Sequence, residues 1–455
     1  MRPFLKYTLQ SLTLAAVAML SGTAMAANEL DPALAGDGTT LLDFGGEERA
    51  LASCPAAQGK QLLVMRSGND QILTTRLLWD GSVDPAFNNG QPVRLGFQLV
   101  DLNSTSAALC RPDGNVWLAM RYIPSGTQEN ILLLAIGADG LPVPGTFGSA
   151  GGIAEIDLDN YAADLLDREE PLGFNNMPNG GALLTGRVDV TGGRRPFVVK
   201  FSDSSLIAGV AILQPPGFSG YQSATAAAVG PGGGIWVVGD GDNNGRRAFR
   251  MYLDPQNLEL QFTQVGVEAG VTTVGGGLVR NGVMVVGATQ RIGNAPAEPR
   301  LLVFRDNGEQ SMLELPLPAP LDAGVSTGLN ALGSTIMPLP GNKILYAIGA
   351  EAFDGENFLG YNGWYFARAV IGANAAEDHI DTSFGELGQQ VLSVRSGDPS
   401  CAGLRNRQLH ARIYPWQGLP TIVGTIDRQC NPDAQEDAVV IRLRGDDALF
   451  AHGFE

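Results

Sequence analysis

Asp240-Gly-Asp-Asn-Asn-Gly245 is the segment of this chain best suited to chemistry. It fits the opening D-x-D-x-[DN]-G of a calcium loop, where oxygens at alternate positions converge on one hard cation and Gly permits the sharp turn. Asp240, Asp242 and Asn244 are its candidate ligands. Ala248 and Met251 stand at positions nine and twelve, where such a loop carries acids. The competing reading is a plain polar hairpin loop, so calcium is the one cofactor to consider and none is required. A second acidic set, Asp157, Asp159, Asp164, Asp167, Glu169 and Glu170, suits cations, a basic partner or simple solvation. His379, His410 and His452 are scattered, with no pair at zinc-ligand spacing. There is no G-x-S-x-G elbow and no phosphate-binding P-loop. The glycine runs 232–234 and 275–277 fall in hairpins or strand edges rather than before a helix, which argues against a dinucleotide site. No catalytic residue is assigned.

The elements that must position these residues follow from internal repetition. A short apolar segment, a Pro/Gly/Asn turn and a β-rich run recur seven times, with turn glycines at 59, 114, 180, 233, 282, 341 and 418. Their mean spacing is about 60 residues. A second marker lies between them: Leu30-Asp-Pro-Ala-Leu, Val83-Asp-Pro-Ala-Phe87, Pro144-Gly-Thr-Phe147 and Ile380-Asp-Thr-Ser-Phe384. Each unit reads as four short strands. In the second copy these are Pro92–Phe97, Ser106–Arg111, Asn115–Tyr122 and Asn130–Ile136. In the seventh they are Gln390–Arg395, Leu409–Tyr414, Leu419–Ile426 and Ala438–Leu443. The glycines supply the φ > 0 position of the hairpin between strands two and three. Ala162–Glu170 is the nearest approach to a helix. A lone four-stranded sheet cannot bury two apolar faces, whereas a radial stack can. The expected fold is an all-β, seven-bladed β-propeller, with six or eight blades as alternatives. Trp117 and Trp236 occupy matching places in third strands and read as packing between blades rather than as sugar platforms.

These units resemble the bacterial delta-sixty repeat family. The resemblance rests on Val83-Asp-Pro-Ala-Phe87, Ala108–Ala119 and Arg247-Ala-Phe-Arg-Met-Tyr-Leu-Asp254, and covers nearly all of the chain after residue 26. It implies a propeller-like, exported or surface-associated protein and supplies no active site.

Met1–Ala26 has the parts of a secretory signal: Arg2 and Lys6, the apolar run Leu9–Leu20, and an A-x-A site at Ala24–Ala26. The expected organisation is a signal at 1–26, one propeller domain at 27–447 and a short tail at 448–455. That tail resembles one seen on exported bacterial proteins, but reads first as a frayed terminus. The expected location is secreted, periplasmic or at the cell surface, with no membrane span. The chain's formal charge is −17, and removing the signal's two basic residues gives 28 − 47 = −19. Such a charge repels phosphate backbones, so nucleic acid is excluded as a partner.

Four cysteines in an exported chain suggest two disulfides. Cys401 and Cys430 fall on loops at one end of the last unit, which favours their pairing and leaves Cys54 with Cys110 by elimination. Equivalent points on neighbouring blades could exceed the ~7 Å Cα limit for such a bridge. The repeat phase is nearly the same at both ends, so no strand is expected to be lent across the seam.

Two functions fit. One is a monomeric binding or scaffold propeller that contacts a protein or glycan through loops on one face. The other is a propeller enzyme of lactonase, hydrolase or oxidoreductase type at the central channel, with calcium as an option.

Overall fold

The computed structural model describes residues 30–444, with 69, 98–105, 124–128, 163, 231, 244, 267, 281, 293–296, 317–325, 355–356, 386, 393–406 and 428–435 outside the description. The proposed signal, the tail, Asn244, Cys401 and Cys430 all lie outside the described residues.

The chain opens with β1 (Thr39–Leu42) and then builds antiparallel units in sequence. The first unit is β2 (Glu48–Ala56), β3 (Lys60–Ser67), β4 (Gln71–Leu77) and β5 (Val93–Gly96). The second is β6 (Ser106–Cys110), β7 (Val116–Tyr122), β8 (Asn130–Ile136) and β9 (Ile153–Ile156). β10 (Leu165–Asn176), β11 (Ala182–Val190), β12 (Gly193–Phe201) and β13 (Ile207–Ile212) form the third. β14 (Ser219–Val229), β15 (Ile235–Asp242), β16 (Arg246–Leu253) and β17 (Leu260–Val265) form the fourth. One parallel pair, Arg194↔Tyr221, joins these last two units into an eight-stranded sheet. Next come β18 (Val271–Arg280), β19 (Val283–Gln290), β20 (Glu298–Arg305) and β21 (Gln310–Glu314). They are followed by β22 (Ser326–Leu339), β23 (Lys343–Asp354), β24 (Asn357–Val370), β25 (His379–Ile380) and β26 (Gln389–Leu392). The final sheet takes β27 (Arg407–Trp416), β28 (Leu419–Asp427), β29 (Glu436–Arg442) and, from the far end of the chain, β1.

The innermost strands β2, β6, β10, β14, β18, β22 and β27 each pack on the next, and β27 packs back on β2. Seven apolar clusters fill the spaces between successive units, the last of them joining β28, β29 and β1 to the first sheet. Such a closed ring of sheets is a β-propeller. Among the described residues no helix is long and apolar enough to cross a membrane.

The turn glycines behave as their spacing predicts: all seven have φ between 70° and 84°. That is the left-handed region, where a Cβ is costly. The Asp-Pro-Ala-Phe linker also has a clear physical role. Asp84 accepts the N–H of Ala86, closing an Asx turn, while its other oxygen takes Lys60 Nζ at 2.8 Å and Arg76 Nε at 2.7 Å. Phe87 is buried beneath the Arg76 guanidinium. Asp381 repeats this with Ser383, Lys343, Arg368 and Phe384. The linker therefore fastens the third strand of a unit to its second.

This geometry corrects three expectations. Val93–Gly96 pairs with β4, and Gln389–Leu392 pairs with β24, so the strand read as first in each unit is the outermost strand of the preceding sheet. The linker turns the chain straight back onto its own sheet, and the crossing to the next sheet comes one strand later. By the same shift a strand is lent across the seam: β1 pairs with β29 from Thr39↔Ile441 to Leu42↔Ala438. Finally, the segment read as nearest to helical becomes the start of β10 at Leu165, because a partner strand, β11, is available to it.

Cys54 and Cys110 form a disulfide with a Cα separation of 5.4 Å. Innermost strands lie where neighbouring sheets converge on the axis, so equivalent points there fall within bridging distance.

The linker aspartates make stability acid-sensitive. Burial opposes ionisation of Asp84, but hydrogen bonds from Lys60 and Arg76 outweigh it and hold the carboxyl at about 2, against an ordinary 3.8. The same balance, with Lys343, Ser383 and Arg368, holds Asp381 well below the usual range. A carboxyl depressed in the folded state stabilises above its unfolded pKa and loses that contribution as pH falls through the folded value. Urea unfolding should show stability dropping between pH ~4 and ~2, with the drop flattened in Asp84→Asn/Asp381→Asn. An unchanged profile in that variant would show that the acid response comes from other groups.

Candidate functional site

Each unit has two ends. One carries the glycine turns and linkers; the other carries the hairpins between second and third strands and the connectors from outer to next inner strand. At the second end the apolar run of a second strand stops at a charge in four successive units: Arg66, Arg121, Arg187 and Asp240. Two of them, Arg121 and Arg187, meet at Glu170, and the charge of Asp240 is felt at Arg187.

Glu170, midway along β10 and buried, is the hub. Its Oε1 faces Arg121 Nη1 at 3.2 Å and Arg168 Nη2 at 3.0 Å. Its Oε2 pairs with Arg187 and lies 4.0 Å from Arg194 Nη1. Glu129 bridges Arg121 and Arg168 from the neighbouring unit, and Asp189 holds Arg194 at 2.8 Å. Burial opposes ionisation of Glu170, but the surrounding arginines prevail and lower its pKa. Adjacent Glu169 goes the other way. Desolvation pushes it up to about 9, aided by Asp157 and Asp159 and opposed by the Leu158 N–H. The two glutamates leave opposite faces of one strand, so they do not act on a common group.

Exposed aromatic and apolar side chains lie among charged ones outside this network. Tyr221 is 56% exposed and lies under the Arg194 guanidinium at 5.5 Å, with Tyr161 and Leu166 exposed on the preceding connector and strand.

The sequence-derived candidates are distributed as follows. Asp240 and Asp242 lie inside β15 and not in a connector. The Asp240 carboxylate is fully buried and accepts from Ser223 Oγ at 2.7 Å, Thr273 Oγ1 at 2.9 Å and Arg246. Asp242 accepts the Tyr221 N–H. Within the second acidic set, Asp157, Asp159 and Glu169 come together, Asp164 pairs with Arg195, and Glu170 joins the arginines. The side chain of Asp167 lies outside the description. His379 is exposed with Nδ1 against the Glu377 carbonyl. Trp117 and Trp236 are buried between units beneath Arg111 and Arg250, in keeping with the packing reading. Sequence reasoning missed the arginine hub and a second acidic group, Asp43, Glu48 and Asp437. A charge ending each apolar strand was the available signal for the hub.

Fold and site together define an all-β β-propeller with a charged cluster at its connector end. No family model matches the chain, and no curated protein does. Among solved structures it is similar to the polysaccharide lyase Uly1, at 10% identity and TM-score 0.48 over 88% of this chain and 91% of that one. It is also similar to a subtype N10 neuraminidase-like protein of A/little yellow-shouldered bat/Guatemala/060/2010, at 12% identity and TM-score 0.42 over 74% and 94%. A protein of unknown function from Dyadobacter fermentans DSM 18053 gives 11% identity and TM-score 0.41 over 90% and 98%.

Proposed function

We propose that this chain is an exported, monomeric, seven-bladed β-propeller of delta-sixty type that binds a protein or glycan through the connector end. The seven inter-unit clusters and the ring of innermost strands support the blade number. The Cys54–Cys110 bridge supports an oxidising compartment.

The observation that carries the binding reading is the rim pair Arg194–Tyr221. An exposed ring offers a flat face for a sugar or peptide ring, and the guanidinium stacked over it, held in place by Asp189, stiffens that face. A glycan ring suits that face, whereas a polyanion meets the same net charge that repels a phosphate backbone. Glu170 is committed to its arginines, so at the hub it is not free to take a proton.

Titration calorimetry of the mature chain against neutral and uronate-bearing oligosaccharides tests this. Neutral saccharides should bind, and Tyr221→Ala should weaken binding by about tenfold, the loss of a stacking contact, with Arg194→Ala weakening it less. If no saccharide binds, or both folded variants bind as the wild type does, the glycan reading falls.

A further inference from the structure

Two connectors that cross from an outer strand to the next innermost strand are built alike. β9 ends at Ile156 and β1 at Leu42, and the next residue in each case is an aspartate, Asp157 or Asp43. Each aspartate accepts the N–H two residues on, from Asp159 at 3.0 Å or Gly45 at 2.9 Å. The intervening N–H, of Leu158 or Phe44, donates to a glutamate on the incoming strand, Glu169 or Glu48. A third carboxylate completes each group, Asp159 in one and Asp437 in the other. One ligand atom from each residue lies within 4.8 Å of the rest.

Both glutamates are closed off from solvent, at 1% and 0% exposed. Each keeps one carboxylate oxygen outside any well-formed hydrogen bond, Oε2 of Glu169 and Oε1 of Glu48, although the Ile131 N–H also faces the Glu169 carboxyl. A buried polar atom without a partner calls for an explanation, and an ion is one of the few available. Here the orphan belongs to a carboxylate held against two others, an arrangement that a cation satisfies and a neutral ligand does not. The same arrangement is reached twice from dissimilar connector sequences, Asp157-Leu-Asp-Asn and Asp43-Phe-Gly-Gly.

We propose that Asp157, Asp159 and Glu169 bind a hard divalent cation of the calcium class, and that Asp43, Glu48 and Asp437 form a second, weaker site for it. Donors that are all oxygen select calcium over thiol- or imidazole-seeking metals. The second site is weaker because Arg94 donates to the Phe44 carbonyl at 3.0 Å, which places a positive charge beside it. This inference stands apart from the glycan reading and from the Asp240 segment.

Calcium titration calorimetry on the chelator-stripped mature chain tests it, with melting in chelator to confirm that each variant is folded. The wild type should bind at two sites and melt higher with calcium. Glu169→Gln should weaken the tighter site by about 100-fold, at least the loss that follows disruption of a metal site's supporting shell. Glu48→Gln should remove only the weaker site. If Glu169→Gln does not fold, Asp157→Asn, at a partly exposed position, carries the same readout. No saturable binding up to about 10 mM, tenfold above the weakest extracellular calcium modules, overturns the proposal. So does wild-type affinity in folded Glu169→Gln.

Discussion

Arg442→Ala should lower stability by about 3–5 kcal/mol, the range for removing one partner of a buried pair. Arg442 is the last residue of β29 and is fully buried. Its Nε meets Asp31 Oδ2 at 2.6 Å and its Nη1 donates to the Trp79 carbonyl at 2.7 Å. Its guanidinium lies 3.5 Å from the centroid of Trp79 and 5.1 Å from that of Trp416. One side chain thus clasps the segment leading into β1, the last sheet and the first sheet at the place where the ring closes. Truncation strands the Asp31 carboxylate and leaves a void between two indoles. Chemical denaturation reads the effect, and limited proteolysis near residues 30–42 should quicken as β1 detaches. A loss below about 1 kcal/mol, the scale of an exposed ion pair, would show that the apolar cluster of Leu34, Leu42, Trp416 and Val440 closes the ring unaided.

Replacing Cys54 and Cys110 together by Ala should cost about 2–4 kcal/mol, since the bridge closes a loop with a sequence separation of 56 and loop-closure entropy favours the cross-linked chain. The bridge also ties β2 to β6 near the axis, on the side of the first sheet away from the β1 clasp. Because the two features sit on opposite faces of that sheet, their effects should add. Unfolding of the wild type with and without reductant, beside the double variant, gives the measurement. Equal stability of oxidised and reduced wild type would mean that the bridge is redundant with the packing of Leu51, Val64, Val116 and Leu118.

What the sequence made legible was local. A glycine that must adopt positive φ announces itself wherever it occurs, so the seven hairpin turns and their period could be read directly, and with them the strand-rich repeat architecture. The Asp-Pro-Ala-Phe linker was equally readable as a marker, because its Asx turn is made within three residues. The buried tryptophans followed from matching positions on matching strands.

Pairing partners were another matter. A strand's sequence does not say which neighbour it joins, and the linker's meaning depends on Lys60 and Arg76 reaching Asp84 from two other strands. That is why the repeat pattern divides the units one strand too early and leaves β1 without its partner some 400 residues away. Asp240 looked like a calcium ligand because alternating acids and a glycine suit a loop. β16 instead extends the pairing to Asp242, burying Asp240 against Arg246.

The sequence by itself determined the turns, the repeat and the apolar strands, since each depends on conformational preferences within a few residues. Only the tertiary structure decided closure of the ring, the Cys54–Cys110 contact, the arginine hub around Glu170 and the paired buried glutamates. Each of these joins groups from separate strands, and their charges and hydrogen bonds acquire their effect only when neighbouring sheets exclude water around them.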